Sequence, residues 1–131
     1  MRNSLIATVI SLFTLVLSQP VKADSNFSYA SAYETISTST SDYYKNQEFR
    51  VYTLKWLEQD KGYPHKIAMS FCKSRSVGLS TSQLGNIHYN ELEKRKTLEG
   101  WSESRFNAYL RIIVAGTLVG QQSYCPEFLG N

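Results

Sequence analysis

Residues 101–126 read WSESRFNAYLRIIVAGTLVGQQSYCP, from Trp101 to Pro126. Phe106, Leu110, Ile113 and Thr117 recur at three- and four-residue spacing, which sets them on one side of a helix facing a core. From Ile112 to Val119 nearly every position is apolar, so the helix should be covered on most sides. Its start is marked by Ser102, whose hydroxyl can cap the first free amides, and by Glu103 at the positive end of the helix dipole. Trp101 and Phe106 stand where a hydrophobic staple would close. The β-branched residues Ile112, Ile113, Val114, Thr117 and Val119 would also suit a strand buried on both faces. The periodic pattern begins well before them without turn residues between, so a helix is the expectation. Gly116 and Gly120, four apart, predict close approach by another helix backbone, at a helix-propensity cost of about 1 kcal/mol each.

At the other end, Met1-Arg2-Asn3-Ser4 leads into an apolar run from Leu5 to Leu17, followed by Ser18, Gln19, Pro20 and Val21-Lys22-Ala23. A charged start, a short apolar segment and a small residue at the cut are the layout of a secretory signal, with cleavage expected after Ala23. The alternative, a retained membrane anchor, requires a longer run, since a span takes about 20 residues. Loss of Arg2 and Lys22 leaves 12 basic against 11 acidic groups, a net charge of +1. Nucleic-acid binding, which needs a clustered positive surface, is therefore not expected. In an oxidising compartment the two cysteines, Cys72 and Cys125, have one possible pairing. A free nucleophilic thiol would instead need a nearby base and no partner.

Between these ends the chain divides at its turn residues. Asp24 to Ser41, DSNFSYASAYETISTSTS, is rich in serine, threonine and small residues and reads as a leader of little regular structure, pinned by Phe27, Tyr29 and Tyr33. Asn46 to Lys61 reads as a first helix, capped by Asn46, with Phe49, Tyr52, Thr53, Trp56 and Leu57 as its apolar stripe and Gly62 as a left-handed stop. Three rings on one stripe suit a ligand platform as well, but burial alone requires the same spacing, so core packing is expected. Pro64 suits the first turn of a second helix running to about Arg75, with Ile67, Ala68, Phe71 and Cys72 inward and Gly78 closing it. Ser80 and Gln83 have capping-box spacing, so a third helix should begin at Thr81, with Leu84, Ile87, Leu92 and Leu98 as its sparse apolar side. Glu91 and Arg95 form a favourable i to i+4 pair. Lys94, Arg95 and Lys96 form the one basic cluster, either a docking patch or a solvated helix face.

Chemistry-bearing patterns are few. His65 and His88 are the only histidines, with no paired-histidine motif and no two-cysteine cluster of zinc spacing, so neither metal nor cofactor is expected. Gly78-Leu79-Ser80-Thr81-Ser82 approaches a nucleophile elbow but lacks its closing glycine and follows a helix where that motif follows a strand.

Phe71-Cys72, Gly78 a short step later, and an apolar helix closing on Tyr124-Cys125-Pro126 together resemble the exported bacterial proteins grouped as domain-of-unknown-function family 732. The likeness runs from about Phe49 to Pro126. It implies a disulfide between Cys72 and Cys125 and no activity. The sequence thus predicts an all-α fold, a small bundle of about four helices tied by one disulfide. Residues 1–23 would be the signal, 24–45 the leader and 46–131 the helical domain. The expected role is a non-enzymatic binding module in the cell envelope or outside it, acting on another protein or an envelope component. Its alternatives are a small secreted hydrolase using His65 or His88 with a carboxylate, and a periplasmic inhibitor or holdase.

Overall fold

The computed structural model describes residues 24–128. Five α-helices follow one another: α1 (Ser25–Thr38), α2 (Gln47–Gln59), α3 (Tyr63–Ser76), α4 (Thr81–Glu99) and α5 (Glu103–Val119). A π-helical turn (Gly120–Tyr124) and a 3-10 turn (Pro126–Phe128) end the described chain. No strand occurs among the described residues, and none of their helices is long and apolar enough to cross a membrane.

Helix α5 is the centre, and each of the other four packs on it. Its start is the one its sequence predicts, with the Ser102 hydroxyl accepting from the Arg105 amide at 3.1 Å. Trp101 and Phe106 are buried in one cluster, as a staple requires. Toward α1 and α2 it presents Ile112 and Ala115, which pack with Ala32, Ile36, Tyr44 and Leu57. Toward α3 and α4 it presents Phe106, Tyr109 and Ile113, which pack with Ile67, Leu92 and Trp101. Each fully buried aliphatic or aromatic side chain contributes roughly 1.5–3 kcal/mol relative to exposure, so a helix apolar nearly all round is what a central position demands.

Helix α3 lies against Gly116 of α5 and Gly120 at the start of the π-helical turn. A Cβ on Gly116 would stand 2.9 Å from the Ile67 Cβ and 3.2 Å from the Pro64 carbonyl oxygen. A Cβ on Gly120 would stand 3.1 Å from both the Ala68 carbonyl oxygen and the Phe71 ring. Only glycine admits a backbone this close. The same contact is tied covalently, since Cys72 on α3 and Cys125 after the π-helical turn form a disulfide with Cα atoms 5.8 Å apart.

Several expectations are corrected. The leader is not irregular. Residues 25–38 form α1, capped by the Asp24 carboxylate on the Phe27 amide at 2.9 Å, and Ser28, Ala32 and Ile36 are fully buried. Those three recur every fourth residue, and small side chains there let α1 lie close to its neighbours. The bundle consequently has five helices among the described residues, not about four. Gly62 is not a left-handed stop; at φ −80° it precedes α3 in right-handed conformation, and α2 ends at Asp60. Gly78 and Gly100, at φ +96° and +68°, are the glycines with the positive φ that L side chains rarely adopt. The capping box of α4 is present, with Ser80 accepting from the Gln83 amide and the Gln83 side chain accepting from the Ser80 amide. The buried side of α4 is Leu84, His88 and Leu92, one face at i+4 spacing, while Ile87 and Leu98 are exposed. Arg95 pairs with Glu99 at 3.3 Å, one turn onward, rather than with Glu91. The signal segment, residues 1–23, lies outside the described residues.

Candidate functional site

A groove of about 1010 Å³ lies between the N-terminal half of α2 and one flank of α5. Phe49, Val51 and Tyr52 line it from α2, and Ser104, Asn107 and Arg111 from α5. The local sequence accounts for its shape. Asn46 caps α2 by accepting from the Phe49 amide at 3.0 Å, which sets the first turn of α2 at the groove mouth. Further along, Thr53 and Leu57 are fully buried, so α2 closes on the core only in its second half. Phe49, expected in the core, is 50 % exposed and Val51 is 58 % exposed. Their neighbours across the groove are the polar Ser104 and Asn107, which offer no apolar surface to cover them.

Arg111 forms the inner wall. Its residue is only 9 % exposed, yet among the described residues it has no ion pair; those present are Lys45–Asp42, Arg95–Glu99 and Lys96–Glu103. One Nη1 hydrogen donates to the Thr53 hydroxyl at 3.4 Å, a long contact, and Nε is buried without a partner. The guanidinium carbon lies 4.5 Å from the centre of the Phe49 ring and 5.9 Å from that of Tyr43, a cation–π arrangement. The Thr53 hydroxyl in turn donates its own proton to the Phe49 carbonyl at 2.6 Å. The positive charge acts on its surroundings. Burial pushes the Tyr43 and Tyr44 hydroxyls above the ordinary tyrosine value, and the nearby Arg111 pulls each back down in part. Tyr44 also donates its hydroxyl proton to the Arg111 carbonyl at 3.0 Å, fixing the α5 backbone where the side chain leaves it.

A second polar cluster joins the start of α1 to the π-helical turn. The Tyr124 hydroxyl is hydrogen-bonded to the Ser28 hydroxyl and to Nδ1 of His65, and donates toward the Asp24 carbonyl at 3.2 Å. Burial raises the Tyr124 pKa, and the Ser28 hydrogen bond opposes this. A histidine is thus within two hydrogen bonds of a serine. Ser28, however, has no exposed surface, so no substrate reaches its hydroxyl, and the cluster's geometry is that of a fastening between α1, α3 and the π-helical turn. His88 is 8 % exposed with Nε2 unpartnered; burial lowers its pKa, with Glu91 opposing and Lys66 reinforcing. No group of three or more His, Cys, Asp or Glu side chains among the described residues is placed to hold a metal ion.

The basic cluster of α4 is divided. Arg95 lies over the Trp101 and Tyr109 rings at 4.7 and 5.5 Å, and Lys96 pairs with Glu103. Lys94 is exposed beside Glu93, Thr97 and Leu98 along a shallower opening. Cys72 and Cys125 are brought together. Arg111 was not singled out by sequence reasoning, and its signal was present: it is the one charge between Leu110 and the apolar run that starts at Ile112. A charged group in such a position has to be paired, vented to solvent or reserved for a ligand. Compared with known proteins, the chain matches no family model, no curated protein and no solved structure.

Proposed function

We propose that this chain is a non-enzymatic binding module, exported to the cell envelope or beyond, and that the α2–α5 groove is its binding surface. The observation that carries the reading is Arg111, a nearly buried cation without an acidic partner among the described residues, opening onto a groove whose exposed rim includes Phe49 and Val51. Exposed apolar side chains beside a preformed polar anchor are the composition of a ligand site. Export is supported by the N-terminal segment, a charged start followed by the apolar run Leu5 to Leu17. The disulfide fits an oxidising compartment. The resemblance to family 732 supports a reading as a small exported helical protein with two cysteines, and implies no reaction.

The test is site-specific photocrosslinking in producing cells, combined with fractionation. A crosslinker at Val51 or Asn107 should give an adduct in the exported fraction, and one at Lys94 on α4 should not. Equal adducts at all three positions, or protein retained in the cytoplasm with no adduct, would overturn the reading.

A further inference from the structure

Arg111 defines the chemistry that the groove accepts. A guanidinium stays protonated at any physiological pH, so burial cannot be relieved by losing the proton. Of its five N–H bonds, one has an acceptor, the Thr53 hydroxyl at 3.4 Å, and Nε–H has none. The planar fork of N–H groups matches the two oxygens of a carboxylate, and such a bidentate pair is among the strong hydrogen-bonded arrangements. Glu48 also lines the groove but forms no ion pair with Arg111 within 4 Å, so the acid in the lining does not fill the seat. Lys55 on the same wall adds a second positive charge, leaving the lining with a cationic excess of one over Glu48.

The rest of the lining selects what the anion is attached to. Phe49 presents a half-exposed ring under the cation, and Val51 extends the apolar surface along α2. Asn107, one turn before Arg111 on α5, supplies an amide able to donate and accept. A bare inorganic anion would leave the apolar wall in water.

Resting on the reading of the groove as a binding surface, we infer that it takes a carboxylate borne on an apolar or aromatic body, the carboxylate paired with Arg111 and the body lying on Phe49 and Val51. The free C-terminus of a peptide ending in an apolar residue and a small aryl or alkyl acid share this chemistry.

The experiment is amide NMR of the full chain, disulfide intact, titrated with N-acetylphenylalanine, its neutral amide, a tetrapeptide ending in phenylalanine with a free carboxylate, and inorganic phosphate. The acid should shift the amides of Phe49, Val51, Asn107 and Arg111 in a saturable way, and the neutral amide should bind at least about tenfold more weakly, the loss expected for one charge-assisted contact. A tetrapeptide binding much more tightly than the acetylated amino acid identifies a peptide terminus as the source, and equal binding identifies a small acid; both support the inference. Arg111→Met should abolish the preference for acid over amide. Since Arg111 is buried, Phe49→Ala serves as the second variant at an exposed position, and it should weaken acid and amide alike. Equal binding of acid and amide, or phosphate displacing the acid at equal concentration, would overturn the carboxylate assignment and leave the groove as a surface. Absence of any shift at the groove with every probe would overturn both.

Discussion

Helix α5 meets two neighbours in opposite ways. Against α3 it offers Gly116, with Gly120 following at the start of the π-helical turn, and the backbones approach until a single methyl would collide. Against the first half of α2 it offers Ser104, Asn107 and Arg111, and the helices leave a groove. The first contact is close and tied by the disulfide; the second is polar and carries a cation with no ion pair among the described residues. Side-chain size and polarity along one helix thus decide which flank is sealed and which is available. The sealed flank holds α5 against α3 through close backbone contact and the disulfide.

The largest effect should come from opening the lock. Cys72 and Cys125 close a loop of 53 residues, for which the chain-entropy estimate is about 4 kcal/mol. Reduction, or the Cys72→Ser, Cys125→Ser double variant, should therefore lower Tm by on the order of 20 °C for a domain of this size. A shift of only a few degrees in a calorimetric scan would show that glycine packing alone seals the α3 flank.

Next in size is the packing itself. Gly116→Ala inserts a methyl 2.9 Å from the Ile67 Cβ and 3.2 Å from backbone oxygen, neither the free end of a flexible chain. Overpacking of this kind costs about 1–3 kcal/mol, more than the gain in helix propensity returns. Gly85 is the control. It lies within α4 with nothing within 4 Å of an added Cβ, so Gly85→Ala should stabilise by about 1 kcal/mol. Denaturant midpoints that move the same way for both variants would remove close approach as the reason for glycine at position 116.

The smallest effect concerns pH at the edge of the sealed side. His88 on α4 has a lowered pKa because burial disfavours the imidazolium; Glu91 opposes the shift and Lys66 adds to it. The unfolded chain, with an ordinary histidine pKa near 6.5, then binds more protons than the folded one. Stability is full above about pH 6.5 and falls as pH drops toward the folded value. Urea midpoints at pH 7.5 and 5.5 should differ less for His88→Gln than for the parent chain. An identical difference in both would assign the acid sensitivity to other groups.

Much of the sealed side was legible in the sequence, because its signals are local. Ser80 with Gln83 and Ser102 with Glu103 mark helix starts within four residues, and Gly116 and Gly120 mark a close approach on one helix face. The pairing of Cys72 with Cys125 was legible because two cysteines admit one pairing. Helix α1 was not, since its buried face is made of Ser28, Ala32 and Ile36, too weakly apolar to register as a stripe. The partners that hold it lie elsewhere in the sequence: Arg50 donates to the Ser37 and Ser39 carbonyls, and Tyr124 reaches Ser28 from 96 positions away. The groove was hidden for a related reason. Phe49 satisfies the spacing of a core residue, and only the polar character of the facing stretch of α5 leaves it uncovered.

One consequence follows from how α1 is held. Helices ordinarily unravel from their tips inward, where amides lack partners. Here Arg50 clasps the trailing tip through two carbonyls, and Tyr124 clasps the leading one through Asp24 and Ser28. Fraying at either tip must first break a contact supplied by another part of the chain. The first helix is therefore bound to open together with the whole molecule rather than ahead of it.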